Sequence, residues 1–81
     1  MELKNTINMM TSEDYQERFK AEYYQLSIRK NKLQAMIKRY EHKELTFIPK
    51  CSIELLTAQV KAMDTYMLIL KERARLENIE L

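Results

Sequence analysis

The 81-residue sequence has no glycine, one proline and one cysteine. Few positions therefore favour a turn, and the apolar residues are mainly Leu, Ile, Met and Ala, a composition typical of an all-α protein. The lone Cys51 excludes an internal disulfide and, beside a single histidine, leaves too few ligands for a zinc site. We expect a helical chain without a disulfide or a metal.

Long apolar runs and catalytic motifs are missing as well. No run approaches the roughly 18 apolar residues of a membrane-spanning helix, and the N-terminal segment MELKNTINMM lacks the apolar core of a signal peptide. We expect a soluble intracellular chain with no membrane partner. Because there is no Gly-rich phosphate loop, no nucleophile–histidine–acid set and no metal-ligand spacing, we expect no catalytic residue, no cofactor and no enzymatic activity.

The stretch from Thr11 to His42 has the pattern of one uninterrupted amphipathic helix. Thr11 or Ser12 is its predicted N-cap, and the acidic start and basic end both suit the helix dipole. Heptad-like spacing places five of its apolar side chains on one narrow seam, which predicts a partner helix. These side chains are Phe19, Leu26, Leu33, Ile37 and Tyr40.

A second helix with a matching seam, from Leu56 to Ala74, follows a turn at residues 43–50. We expect Phe47 and Ile48 to tuck under that turn, because an exposed pair would be an aggregation liability. The prediction is an antiparallel two-helix hairpin with a short N-terminal helical arm and a C-terminal tail that docks on a neighbour or frays. Its parts are the arm at residues 1–10, the hairpin domain at 11–76 with helices at about 12–42 and 52–75, and the tail at 77–81.

A second apolar row on the second helix has no partner within one hairpin. It consists of Leu55, Ala62, Tyr66 and Ile69. A two-helix hairpin has no enclosed core, and domains of this size are marginal unless disulfides, metals or oligomerisation stabilise them. We therefore expect an obligate homo-oligomer.

Basic residues are concentrated in the second half of the first helix, between Arg29 and Lys43. Such a block is either a solvated face or a binding surface for an anion. Tyr15 could stack on a nucleotide base, while Arg29 and Lys30 could contact phosphates, with Arg18 on the same side of the helix. Because Tyr15 and Lys30 are about 22 Å apart along a helix, one small ligand would need them from different subunits. The alternative is a tyrosine at the end of a hairpin with surface cations nearby.

A spaced pattern of residues resembles the small phage helical hairpins named after a crAss-like phage protein. That hairpin is shared by the anti-CBASS and Thoeris anti-defence sponges. The resemblance covers residues 14–73 and is carried by Asp14-Tyr15-Gln16-x-Arg18, then Leu26 and Leu33, then Leu55-Leu56-x-x-Gln59-x-x-x-Met63-x-x-Tyr66-x-x-x-Leu70-x-x-Arg73.

This resemblance implies a homo-oligomer, typically a hexamer, that sequesters cyclic nucleotide immune messengers without cleaving them in the cytoplasm of the infected bacterial host. The implied ligands are cyclic dinucleotides, cyclic trinucleotides or cyclic ADP-ribose isomers. Tyr15 and Lys30 match the family's dinucleotide-binding tyrosine and lysine, with Arg29 or Lys32 as substitutes for the lysine. Arg73 is matched to the arginine of the family's trinucleotide site.

Two functions of other classes stay open on the sequence. An oligomeric helical adaptor or coiled-coil protein would bind another protein through the surfaces of Tyr23/Tyr24 and Tyr66/Ile69. A nucleic-acid binder would use the basic half of the first helix, but interleaved acidic residues and the lack of a recognised motif argue against it. No long nucleic acid is therefore expected as a partner.

Overall fold

The computed structural model describes all 81 residues, and its regular structure is entirely helical. The all-α class is therefore confirmed. None of the helices combines the length and the apolar character that crossing a bilayer requires. The elements are a 3-10 turn at Leu3–Thr6 and the helices α1 (Ile7–Met10), α2 (Tyr15–Glu41) and α3 (Ile53–Glu77).

Helix α2 begins at Tyr15, because Asp14 is its N-cap. The Asp14 carboxylate accepts a hydrogen bond from the Gln16 amide at 2.9 Å, and the Asp14 backbone is extended. The prediction that Thr11 or Ser12 caps this helix is wrong, since the Ser12 hydroxyl accepts from the Asp14 amide at 3.0 Å instead. A carboxylate caps a helix as well as a hydroxyl does, and its charge also suits the dipole at the N-terminus.

We predict that Asp14→Ala lowers the free energy of unfolding by about 1 kcal/mol, the usual effect of losing a side-chain cap. Glu13→Ala is the matched control, because it removes a neighbouring exposed carboxylate that caps no amide. Urea unfolding followed by circular dichroism measures both variants. Equal losses in the two variants would contradict the assignment of Asp14 as the cap.

Helices α2 and α3 lie side by side along a molecule that measures 43 × 24 × 17 Å. The Tyr15 hydroxyl contacts Glu77, whereas Lys30, further along α2, pairs with Asp64, which lies earlier in α3. The start of α2 therefore lies against the end of α3. The main buried cluster is found towards this end and consists of Phe19, Leu26, Leu70, Ala74 and Ile79.

The N-terminal segment packs onto α2. Thr6 is completely buried, and its hydroxyl accepts a hydrogen bond from Gln25 Nε2 at 2.9 Å. Gln25 Nε2 also lies 3.3 Å from the Met10 sulfur. One α2 side chain thus fastens both the 3-10 turn and α1 to the long helix.

The C-terminal tail returns to the core of its own chain. Asn78 takes the left-handed conformation (φ 57°, ψ 44°), and the Ile79 amide donates back to the Ala74 carbonyl at 2.9 Å. This is the Schellman arrangement, in which the residue after the left-handed position packs on the last turn of the helix. The Ile79 side chain is accordingly buried in the cluster, so this part of the tail neither frays nor needs a neighbour.

The loop between α2 and α3 leaves Phe47 and Ile48 exposed, with 56% and 89% of their surfaces accessible. The prediction that this pair tucks under the turn is wrong. Leu45 and Pro49 take the partly buried positions in the loop instead.

Candidate ligand-binding site

Tyr15 lies at the end of the molecule where α2 begins and α3 finishes. Its hydroxyl donates a hydrogen bond to Glu77 Oε1 at 2.6 Å and accepts one from Arg73 Nη2 at 3.2 Å. The side chain is 46% exposed. Its ring is therefore accessible although its hydroxyl is held at two points.

Arg73 is held by two partners in addition to Tyr15. Its Nε atom is 3.5 Å from Glu77 Oε2, and its guanidinium carbon lies 5.0 Å from the centre of the Phe19 ring, a cation–π distance. Phe19 is almost fully buried, and its ring centre lies 6.2 Å from that of Tyr15. We call the four side chains of Tyr15, Phe19, Arg73 and Glu77 the Tyr15 cluster.

The neighbours of Tyr15 raise the pKa of its phenol. The hydrogen bond to Glu77 is the main cause that raises the pKa of Tyr15 above its ordinary value; partial desolvation and the Glu77 charge act in the same direction, and Arg73 opposes them. The Tyr15 hydroxyl donates to Glu77, and the cluster presents an aromatic face beside a guanidinium. That pairing suits a base linked to a phosphate.

Lys30, the other main candidate, lies on a different part of α2. It pairs with Asp64, and only 20% of the Lys30 side chain is exposed. One chain does not bring Lys30 and Tyr15 together, because fifteen residues of a single helix separate them by about 22 Å.

The remaining predicted ligand residues stand apart from the cluster. Arg18 Nη1 donates to the Ser12 carbonyl at 2.8 Å, which ties the segment before α2 to its first turn. Arg29 and Lys32 are exposed and form no ion pair within the chain. Of the six predicted residues, the structure joins only Tyr15 and Arg73.

Sequence reasoning missed Glu77, the role of Phe19 beneath Arg73, and Asp64. The sequence does contain a signal for Glu77. Phe19 on α2 faces Arg73 on α3, and the two helices run in opposite directions. Four residues further towards the same end of the molecule, α2 has Tyr15 and α3 has Glu77. Those positions lie one helical turn away on the same faces. The sequence pattern places Glu77 in the tail, whereas in the structure it is the last residue of α3.

Comparison with known proteins identifies a family for the chain. No curated protein and no solved structure matches the chain significantly. Residues 13–76 match the Sequestin family, a span that contains all of α2 and all of α3 except its last residue. The family name indicates binding and sequestration rather than catalysis, and it agrees with the resemblance to anti-defence sponges. On a match that covers most of its length, the chain belongs to the Sequestin family.

Proposed function

We propose that this protein is a phage anti-defence sponge, a homo-oligomer of antiparallel helical hairpins that sequesters cyclic nucleotide immune messengers without cleaving them. Capture would block CBASS-type or Thoeris-type immunity in the cytoplasm of the bacterial host. Cyclic dinucleotides are the first candidates, with cyclic trinucleotides and cyclic ADP-ribose isomers next. The observation that carries the proposal is the exposed Tyr15 ring beside the Arg73 guanidinium, both next to the buried ring of Phe19.

The chemistry of capture follows from these side chains. A base stacks on Tyr15, and a phosphate accepts hydrogen bonds from Arg73, whose planar fork suits a phosphate better than a lysine does. Lys30 of a neighbouring subunit supplies a second cation, with Arg29 and Lys32 beside it. Because the oligomer holds these groups in position before the ligand binds, little binding free energy is lost in ordering them.

Exposed apolar side chains on α3 support the homo-oligomer. Five of them are between 42% and 66% exposed: Leu55, Tyr66, Leu68, Ile69 and Leu76. Burial of one such side chain contributes about 1.5–3 kcal/mol, so a second copy that covers several of them gains substantially. Light scattering should give a mass several times that of one chain, and a stable, folded monomer at micromolar concentration would contradict this part of the proposal.

The decisive experiment is calorimetric titration of the intact protein with cyclic di-AMP, cyclic GMP–AMP, cyclic tri-AMP and a cyclic ADP-ribose isomer. We expect at least one of them to bind more tightly than about 10 μM, which corresponds to roughly −7 kcal/mol. Chromatography of the ligand recovered after denaturation should show it unchanged, because a sponge does not cleave what it binds. If none of the four reaches that affinity, the sponge proposal is wrong.

The alternative is an oligomeric helical adaptor that binds another protein. The exposure of Leu68, Ile69 and Phe47 favours it, since such residues also suit a protein partner. Its predicted surfaces are less open than the sequence indicated: Tyr23 and Tyr24 are half-buried, and the Tyr66 hydroxyl donates to Glu22. A pull-down that retains a protein partner, with no cyclic nucleotide bound, would favour the adaptor.

A further inference from the structure

Glu77 bridges the two groups that would receive the ligand. One carboxylate oxygen, Oε1, accepts from the Tyr15 hydroxyl at 2.6 Å, and the other, Oε2, lies 3.5 Å from Arg73 Nε. A phosphate bound between these residues would also use two oxygens on the same two partners. Within one chain, an acidic side chain therefore stands where the ligand's anion is expected.

Arg73 does not need Glu77 to stay in place. Its guanidinium lies over the Phe19 ring, which is fixed because Phe19 is only 2% exposed and belongs to the buried cluster. If the Glu77 side chain turned away, Arg73 would keep this cation–π contact and the bond to the Tyr15 hydroxyl. Glu77 is therefore not needed to hold Arg73 in position.

The Glu77 side chain is also easy to displace. It is 36% exposed, and exposed ion pairs are weak because water screens them. Glu77 is the last residue of α3, where the helix dipole disfavours a negative charge. Because Ile79 anchors the chain just beyond it, only the side chain has to move.

We propose that Glu77 is an internal competitor for the ligand's phosphate: its carboxylate occupies Arg73 and Tyr15 in the empty protein and must leave when the ligand binds. The proposal rests on the proposed function, since it takes Tyr15 and Arg73 as ligand-binding residues. Glu77 then sets the affinity of the site. Ligands whose anion binds Arg73 more strongly than a carboxylate does are favoured over ligands whose anion binds it more weakly.

The test compares Glu77→Gln with the wild type in calorimetric titrations with cyclic GMP–AMP and cyclic tri-AMP at low ionic strength. Glutamine keeps the length and the hydrogen-bonding oxygen but loses the charge. We expect the variant to bind about fivefold more tightly, equivalent to about 1 kcal/mol.

Glu72→Gln is the matched control. Glu72 lies on the same helix and is likewise paired with an arginine, Arg75, at 2.6 Å, so the substitution removes the same charge from a side chain that pairs with no member of the Tyr15 cluster. Its affinity should stay close to that of the wild type. An equal gain in affinity in both variants would show that the effect comes from the change in net charge alone, and it would overturn the proposal.

A measurement without ligand tests the contact independently. Carbon-13 NMR of the Tyr15 phenol should show its pKa falling towards the ordinary value in Glu77→Ala, because this substitution removes both the hydrogen bond, which is the main cause of the raised value, and the Glu77 charge. An unchanged pKa would show that Glu77 does not hold the hydroxyl, and would overturn the proposal.

The binding outcomes separate the two proposals. If the wild type binds a probe and Glu77→Gln binds it equally or more weakly, the competitor role is wrong and the sponge function stands. If the variant binds a probe that the wild type does not, the competitor role is supported. If neither protein binds either probe while the pKa falls as expected, the contact is real but the ligand-binding role of the cluster is wrong, and the competitor proposal falls with it.

Discussion

Tyr15→Ala is expected to weaken binding of a cyclic dinucleotide by about 5- to 150-fold, the loss that follows when one base–aromatic stacking contact of about 1–3 kcal/mol is removed. The oligomer should stay intact, because the apolar side chains assigned to the contact between copies lie on α3, whereas Tyr15 lies on α2. Calorimetry measures the affinity, and light scattering on the same sample measures the assembly. Loss of assembly would make Tyr15 a packing residue instead of a ligand-binding one.

Two further variants test whether a loss of affinity comes from the Tyr15 ring itself or would follow the loss of any exposed tyrosine. Tyr40→Ala removes an equally exposed tyrosine, 45% accessible, near the opposite end of α2, and should leave the affinity unchanged. Tyr15→Phe keeps the aromatic face and should retain most of the affinity. A loss in Tyr15→Phe as large as in Tyr15→Ala would show that the hydroxyl, not stacking, carries the binding.

Leu70→Ala is expected to lower the free energy of unfolding by about 2–5 kcal/mol, the range observed when a large buried aliphatic side chain is truncated. Leu70 is completely inaccessible and packs in the cluster with Phe19 and Ile79. Domains of this size have little stability in reserve, so the variant should melt at a much lower temperature or fail to fold. Thermal and urea unfolding followed by circular dichroism measure the change.

Ile48→Ala provides the comparison, since it truncates an aliphatic side chain of the same size that is 89% exposed in the loop between α2 and α3 and is not among the side chains assigned to the contact between copies. Its effect on unfolding should be at most about 1 kcal/mol. If the two substitutions destabilised the protein equally, the assignment of the core to the Leu70 face of α3 would be wrong.

The fold class and most helical positions could be predicted because spacing in the sequence records which faces are apolar. Leu26, Ile37 and Val60 lie on the predicted seams and are buried. Tyr40, assigned to the same seam, is 45% exposed. It lies in the last turn of α2, next to a loop whose path no periodicity describes.

Local competition between polar groups accounts for other differences between prediction and structure. Several residues before α2 can each cap a helix, and the sequence does not rank Asp14 above Ser12. The helical extension of α3 to Glu77 and the return of Ile79 depend on Asn78 adopting a left-handed conformation, which asparagine tolerates but does not require.

Individual residues of the candidate site could be predicted from the sequence, but the contacts between them could not. Tyr15 and Arg73 were identified from a spaced pattern of residues, but their contact depends on the register between α2 and α3. Glu77 joins them only because α3 continues one turn beyond Arg73. A shift of one turn between the two helices would separate Tyr15 from Arg73 and Glu77.

Phe19 serves two purposes at once, and this limits how the protein can change over generations. Its ring is part of the hydrophobic interior and also the base on which Arg73 rests. Residues at the rim, such as Tyr15 and Glu77, can be exchanged to follow a new ligand without loss of the fold. A substitution at Phe19 changes the hydrophobic interior and the support of Arg73 together, so under the proposed function adaptation to a different ligand is expected to proceed around this residue.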